Sequence, residues 1–132
     1  MHRLALVLTL VSGVVAGCGG SDSESREDSA TPAEAVGEIA RIRTLLDDAV
    51  ADYRAGRGDA AEETVGDAYL EHFELVEPPL EERDEELNEE LELLISTEIR
   101  KEIKEGVPPA EVKALVAEAN IELTKAEKAL EG

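Results

Sequence analysis

Aromatic residues and cysteine are scarce in this chain of 132 residues, which contains no tryptophan, one phenylalanine, two tyrosines and one cysteine. A single cysteine excludes an intramolecular disulfide as a source of stability. A core with so few aromatic rings must be built from Leu, Ile, Val and Ala. Such a core favours packed helices over a β-sandwich, whose strands are rich in aromatic and β-branched residues. The sequence therefore predicts an all-α fold.

Basic residues are also few, because 13 Lys and Arg face 32 Asp and Glu, which gives a net charge of −19. Nucleic acid is excluded as a partner, since phosphate binding needs a basic face. Anionic lipid headgroups would repel the same surface. The acidity fits a solubility device, a salt-adapted surface or a cation-attracting surface, and composition does not separate the three.

The sequence lacks the common enzyme motifs. It has no glycine-rich phosphate loop, no Cys-x-x-Cys-His for covalent haem and no His-Glu-x-x-His. Di-iron carboxylate bundles need a Glu-x-x-His motif, and neither histidine has a glutamate three residues before it. We therefore expect a protein that is not an enzyme.

The N-terminus has the pattern of an export signal. A basic start precedes an apolar run from Leu4 to Val15, which is shorter than the roughly 20 residues that span a bilayer. The sequence Val-Ala-Gly-Cys at 15–18 resembles the lipobox of bacterial lipoproteins. That resemblance implies a lipid thioether on Cys18, with palmitate as an acyl chain, and a membrane anchor on the extracytoplasmic face, in the periplasm or at the cell surface. The alternative is an ordinary secretory signal followed by a chance cysteine.

These patterns divide the chain into three segments: a signal peptide at 1–17, a lipidated cysteine with a flexible Gly, Ser and acidic tether at 18–31, and one domain at 32–132. The domain has four amphipathic stretches with apolar residues three and four apart. Breaks are predicted at Gly56, at Pro78-Pro79 and at Gly106. Short connections between four helices predict an antiparallel up-and-down four-helix bundle.

Two helix starts carry a capping-box pattern. Thr31 precedes Pro32 and stands three residues before Glu34, and Asp59 stands three residues before Glu62. The first pattern predicts the beginning of the first helix, and the second that of the next.

Residues 67–77 hold two of the three aromatic residues and the histidine that remains after removal of the signal. Tyr69 and His72 share the apolar face, while Glu74 and Glu77 lie on the adjacent stripe. Carboxylate oxygens and an imidazole nitrogen suit iron, manganese or copper(II). The alternative is that His72 is a hydrogen-bonded core histidine and that both carboxylates are solvated.

A dense acidic run extends from Glu74 to Glu92, with ten acidic residues and only Arg83 against them. Like charges three and four residues apart cost a helix a few tenths of a kcal/mol per pair. Bound cations would offset that cost, and diffuse counterion attraction is the alternative. The run lacks the glycine-centred loop of an EF-hand.

Four stretches, at residues 49–56, 65–74, 91–95 and 99–106, are similar to a recurring helical pair. They resemble the extracytoplasmic N-terminal helical domain of prokaryotic high-affinity, oxidase-linked iron permeases, over roughly residues 36–130. The resemblance implies that the protein delivers or senses iron outside the membrane, and it adds Glu92 to the candidate ligands. It does not imply transport, because the chain has no membrane helices with Arg-Glu-x-x-Glu motifs after the signal.

The predicted function is that of a lipoprotein associated with iron uptake. It would bind an iron or copper ion, or dock on an iron permease or another envelope protein, without catalysis. The predicted ligands are Tyr69, His72, Glu74, Glu77 and Glu92. The alternative is an acidic helical lipoprotein that serves as a structural or protein-interaction module and has no specific metal site.

Overall fold

A computed structural model describes residues 29–132, in which four helices and no strands are found. We label them α1 (Pro32–Arg54), α2 (residues 58–81), α3 (residues 85–105) and α4 (Pro109–Glu131). The predicted all-α class is confirmed. The predicted signal peptide, Cys18 and most of the tether lie outside the described residues.

Local sequence signals set three of the helix ends. Thr31 Oγ1 accepts the backbone N–H of Glu34 at 3.3 Å, and Glu34 Oε2 accepts that of Thr31 at 2.8 Å. This reciprocal pair is the predicted capping box of α1. Helix α4 begins at Pro109, where a missing N–H is no loss. Helix α3 ends at Gly106, which has a φ of 73° in the left-handed region that glycine adopts most readily.

Two predicted boundaries are wrong. Helix α2 runs through Pro78 and Pro79 to Glu81, so that Leu80 belongs to α2 and not to α3. Two adjacent prolines remove only two backbone donors, and burial of Pro79 and Leu80 in the core holds the last turn in place. The chain turns instead at residues 82–84, where the Asp84 side chain accepts the N–H of Leu87 at 3.1 Å and caps α3.

The predicted capping box at Asp59 is also wrong. Helix α2 begins one residue earlier, at Gly58, and its N-cap residue Arg57 makes no side-chain cap. Glu62 is drawn away from the helix start because it pairs with Arg100 at 2.9 Å and with Lys104 at 3.0 Å, both on α3.

Helices α2 and α3 each contain a π-helical turn, at Ala68–Phe73 and at Leu94–Glu98. The two turns contact each other. Such turns are rare, and they are often found at functional sites. The junction of α2 and α3 is therefore the first place to look for a functional site.

The core is aliphatic and receives side chains from all four helices. Helix α1 packs against α2 and α4, and α3 packs against the same two helices. Phe73, on the first π-helical turn, is the one fully buried aromatic residue of the described part. The apolar spacing of α3 is confirmed, since the residues it marks are buried: Leu87, Leu91, Leu94, Ile95, Ile99 and Ile103. Within residues 29–132 no helix is both long and apolar enough to cross a membrane.

Two glycines provide matched tests of this backbone. We expect Gly106→Ala to destabilise the fold by about 1 kcal/mol, because an L side chain is strained at positive φ. We expect Gly37→Ala, on an exposed face in the middle of α1, to stabilise it by about 0.5–1 kcal/mol. A Cβ at either position meets no atom within 4 Å, so packing does not enter the comparison. Urea unfolding measures both, and equal effects of the two variants would contradict the left-handed conformation of Gly106 at the end of α3.

Candidate functional site

Tyr69 stands beside Glu77 at the junction of α2 and α3. The Tyr69 hydroxyl donates a long hydrogen bond to Glu77 Oε1 at 3.5 Å. Its ring stacks on the buried Phe73 ring, with centroids 6.0 Å apart and planes at 30°. Both aromatic residues belong to the same π-helical turn, so the core fixes where the hydroxyl lies.

Two further carboxylates, those of Glu74 and Glu92, affect the pKa values of Tyr69 and Glu77. Burial raises the pKa of Glu77, and the charges of Glu92 and Glu74 raise that pKa further. Burial also raises the pKa of Tyr69 to about 12, with smaller effects from Glu77, Glu92 and Glu74. We call Tyr69, Glu74, Glu77 and Glu92 the carboxylate cluster. Glu92 reaches it from α3, and the other three belong to α2.

The carboxylate cluster carries negative charge with no basic partner. None of the ion pairs found between residues 29 and 132 includes Glu74, Glu77 or Glu92. Glu77 is half-buried, whereas Glu74 and Glu92 are exposed to solvent. A carboxylate in this position keeps a desolvation cost that no ion pair with the described residues offsets.

His72 is joined to a different group. Its Nδ1 lies 2.6 Å from Glu38 Oε2 on α1, and the side chains are only 18% and 14% exposed. Glu38 also accepts a hydrogen bond from Arg41 Nη1 at 3.2 Å. The structure therefore brings together four of the five predicted ligands and directs the Nδ1 of His72 towards α1. Sequence reasoning missed Glu38, although its place three residues after Ala35 and four before Ile42 puts it beside the apolar face.

The donor set of the carboxylate cluster consists of hard oxygens, which suit iron or calcium better than a thiophilic metal. Within the described part of the chain, however, no three His, Cys, Asp or Glu side chains are placed so that they already hold a metal ion. As it stands, the arrangement can keep a proton on Glu77 more readily than an exposed glutamate would. Binding a cation requires the carboxylates to move towards one another.

The raised pKa of Glu77 predicts a pH-dependent effect on stability. The folded state holds the Glu77 proton more tightly than the unfolded state does, so the associated stability is fully present below the ordinary pKa of 4.5 and is lost as pH rises through the raised folded value. We expect Glu77→Gln to stabilise the fold at pH 7 by about 0.2–0.5 kcal/mol, the range for like-charge helix pairs, and to have less effect at pH 4.

Urea unfolding at the two pH values measures this difference. The control is Glu63→Gln, which makes the same charge change on the exposed face of α2. A gain in Glu77→Gln that is equal at pH 4 and pH 7 would show that the Glu77 charge is not responsible.

Comparisons with protein-family models, with curated proteins and with solved structures find no match to this chain. The resemblance to the helical domain of iron permeases therefore stays a prediction.

Proposed function

We propose that this chain is a non-catalytic binding module of the extracytoplasmic face that takes up a hard metal cation at the carboxylate cluster. The observation that carries the proposal is the half-buried Glu77 carboxylate, which lies with Tyr69, Glu74 and Glu92 and belongs to none of the ion pairs of residues 29–132. Iron enters the proposal through the family resemblance, and manganese and copper are the other metals that the donor atoms suggested.

The charge of the carboxylate cluster favours a cation over an anion or a neutral ligand. Each carboxylate raises the free energy of the others, and burial adds a further cost at Glu77. A bound cation would convert both costs into favourable interactions, because the same charges then surround a positive centre. The two π-helical turns beside the cluster support the location, since such turns recur at functional sites.

The lack of a preformed site sets a requirement on binding. Glu74 and Glu92 are exposed, so both side chains have room to change rotamer, and the proposal requires their carboxylates to turn towards Glu77. The backbone of both helices stays in place in this proposal. His72 could coordinate the metal only through Nε2, because its Nδ1 is hydrogen-bonded to Glu38.

The location and topology belong to the same proposal. The Val-Ala-Gly-Cys sequence at 15–18 supports a lipid anchor, and association with iron uptake rests on the family resemblance. The connections at residues 55–57, 82–84 and 106–108 are short, which supports an antiparallel up-and-down order of the four helices.

Calorimetric titration of the detergent-solubilised full chain tests the metal site. Ferrous iron under anaerobic conditions, copper and calcium are added separately at moderate salt. We expect one saturable site for iron or copper, weakened at least about tenfold in Glu77→Gln, because one charged ligand is worth about 1.4 kcal/mol or more. His72→Ala tests whether the imidazole contributes.

The matched control is Glu86→Gln, which removes one charge from an exposed position of the acidic run outside the cluster. Affinity should survive this change. Weak, salt-sensitive binding of every ion, equal in Glu77→Gln and Glu86→Gln, would mean that the carboxylates form only a charged surface.

The lipid anchor has a separate test. We expect the wild-type chain in a bacterial host to remain with the membrane pellet after a high-salt wash, because the anchor is apolar and salt does not release it. Cys18→Ser should move the protein to the soluble fraction. Retention of Cys18→Ser in the washed pellet would contradict lipidation at this position.

A further inference from the structure

Helices α3 and α4 border an open groove that no part of the proposed function uses. It consists of two depressions of about 400 and 410 Å³. Both are lined by Glu98 and Glu118, so the depressions adjoin and form one continuous surface. From Glu90 to Glu102 the α3 side of the groove extends about 18 Å, or more than three helical turns.

Apolar side chains lie along the groove. Leu93 is 53% exposed, although most large apolar residues of the described part are buried. Leu94 lies beside it, and Ala114 and Leu115 continue the apolar surface on the α4 side. The exposed leucine therefore provides apolar surface area within the groove that a partner can bury.

Carboxylates form the borders of the groove, and most of them have no basic partner among the described residues. The lysines of the groove are already engaged, Lys101 with Glu105 at 3.8 Å and Lys125 with Glu122 at 2.7 Å. Five glutamates of the groove are in none of the ion pairs of residues 29–132: Glu90, Glu98, Glu102, Glu111 and Glu118. The charge of one of them, Glu90, acts on Lys125, whose pKa is raised first by its hydrogen bond to Glu122 and further by the charges of Glu122, Glu90 and Asp84.

We infer that this groove binds a cationic amphipathic helix of a partner protein. An apolar stripe of the incoming helix would cover Leu93, Leu94 and Leu115, and its flanking Lys or Arg side chains would pair with the free glutamates on both borders. This is the helix-in-groove mode of recognition, in which apolar anchors supply affinity and charges supply orientation.

A cationic amphipathic helix fits the groove better than two other possible ligands. A second copy of the chain brings another net charge of −19, so the same acidic borders would repel it. A purely hydrophilic polycation would leave Leu93 exposed and gain only screened contacts. The groove shares no residue with the carboxylate cluster, so either site can fail experimentally without affecting the other.

The test uses the full chain in detergent and a fluorescent peptide of about 18 residues, built from Leu and Lys as an amphipathic helix. A scrambled peptide of identical composition measures attraction by charge alone. Anisotropy titration should show saturable binding of the amphipathic peptide, and binding of the scrambled peptide at least about tenfold weaker.

Three variants locate the binding. We expect Glu98→Gln combined with Glu118→Gln to weaken binding about tenfold. Leu93→Gln should weaken it about fivefold through lost apolar area. The control combines Glu63→Gln with Glu71→Gln, which makes the same charge change on exposed positions of α2 and should leave binding unchanged. All four positions of the charge variants are exposed, as is Leu93, so the fold should persist, and circular dichroism checks this.

Two results would overturn the inference. One is equal affinity for the scrambled and amphipathic peptides, or no saturable binding of either. The other is an equal loss in the groove and control double variants, because that would assign binding to net charge and not to the groove.

Discussion

Burial of the aliphatic side chains must outweigh the repulsion between acidic residues, which folding brings close together on every helix of this domain. The core contains only one fully buried aromatic ring, so the attraction that opposes the repulsion comes from many small contacts between Leu, Ile, Val and Ala. The few basic side chains neutralise only some of the acidic ones. Arg100 and Lys104, for example, both pair with Glu62. Several of the other carboxylates of residues 29–132, including those of Glu77, Glu98 and Glu118, belong to no ion pair, and both proposed sites arise from this imbalance.

The carboxylate cluster and the groove use the imbalance in different ways. The cluster is small, includes one half-buried carboxylate and offers only oxygen atoms, which suits a single ion. The groove is long, partly apolar and bordered by separate glutamates, which suits an extended ligand with its own pattern of charge. Ligand size and the placement of apolar surface thus separate two sites that carry charge of the same sign.

Local signals in the sequence predicted much of this fold. The three- and four-residue spacing of apolar side chains identified the helices, and Thr31 and Gly106 identified ends that depend on local hydrogen bonds and local backbone conformation. The prediction failed where tertiary contacts outweigh local preference. Burial of Pro79 and Leu80 carries α2 past two prolines, and pairing with α3 takes Glu62 away from the helix start.

The site was predicted less completely for a related reason. Tyr69, Glu74 and Glu77 were predicted as ligands because an aromatic residue and carboxylates at helical spacing lie on adjacent faces of one helix, and Glu92 was added by the family resemblance. The partner of His72 was not identified, since the contact with Glu38 spans two helices that are distant in sequence. The π-helical turns leave no mark in an apolar pattern of period 3.6, so the sequence did not reveal them.

A π-helical turn can be regarded as an α-helix that has accommodated one inserted residue. In a regular α-helix one added residue would rotate the remainder by about 100° around its axis, whereas the wider π-helical turn takes up that rotation. The direction in which Glu74 and Glu77 project therefore depends on the π-helical form of the Ala68–Phe73 segment. Loss of a single residue there, such as the exposed Leu70, with a return of the segment to regular α-helix would leave both carboxylates on the same side of α2. In a lineage of such chains, this segment would tolerate a one-codon deletion, whereas the same deletion in a regular α-helical part of α2 would turn Glu74 and Glu77 away from Glu92.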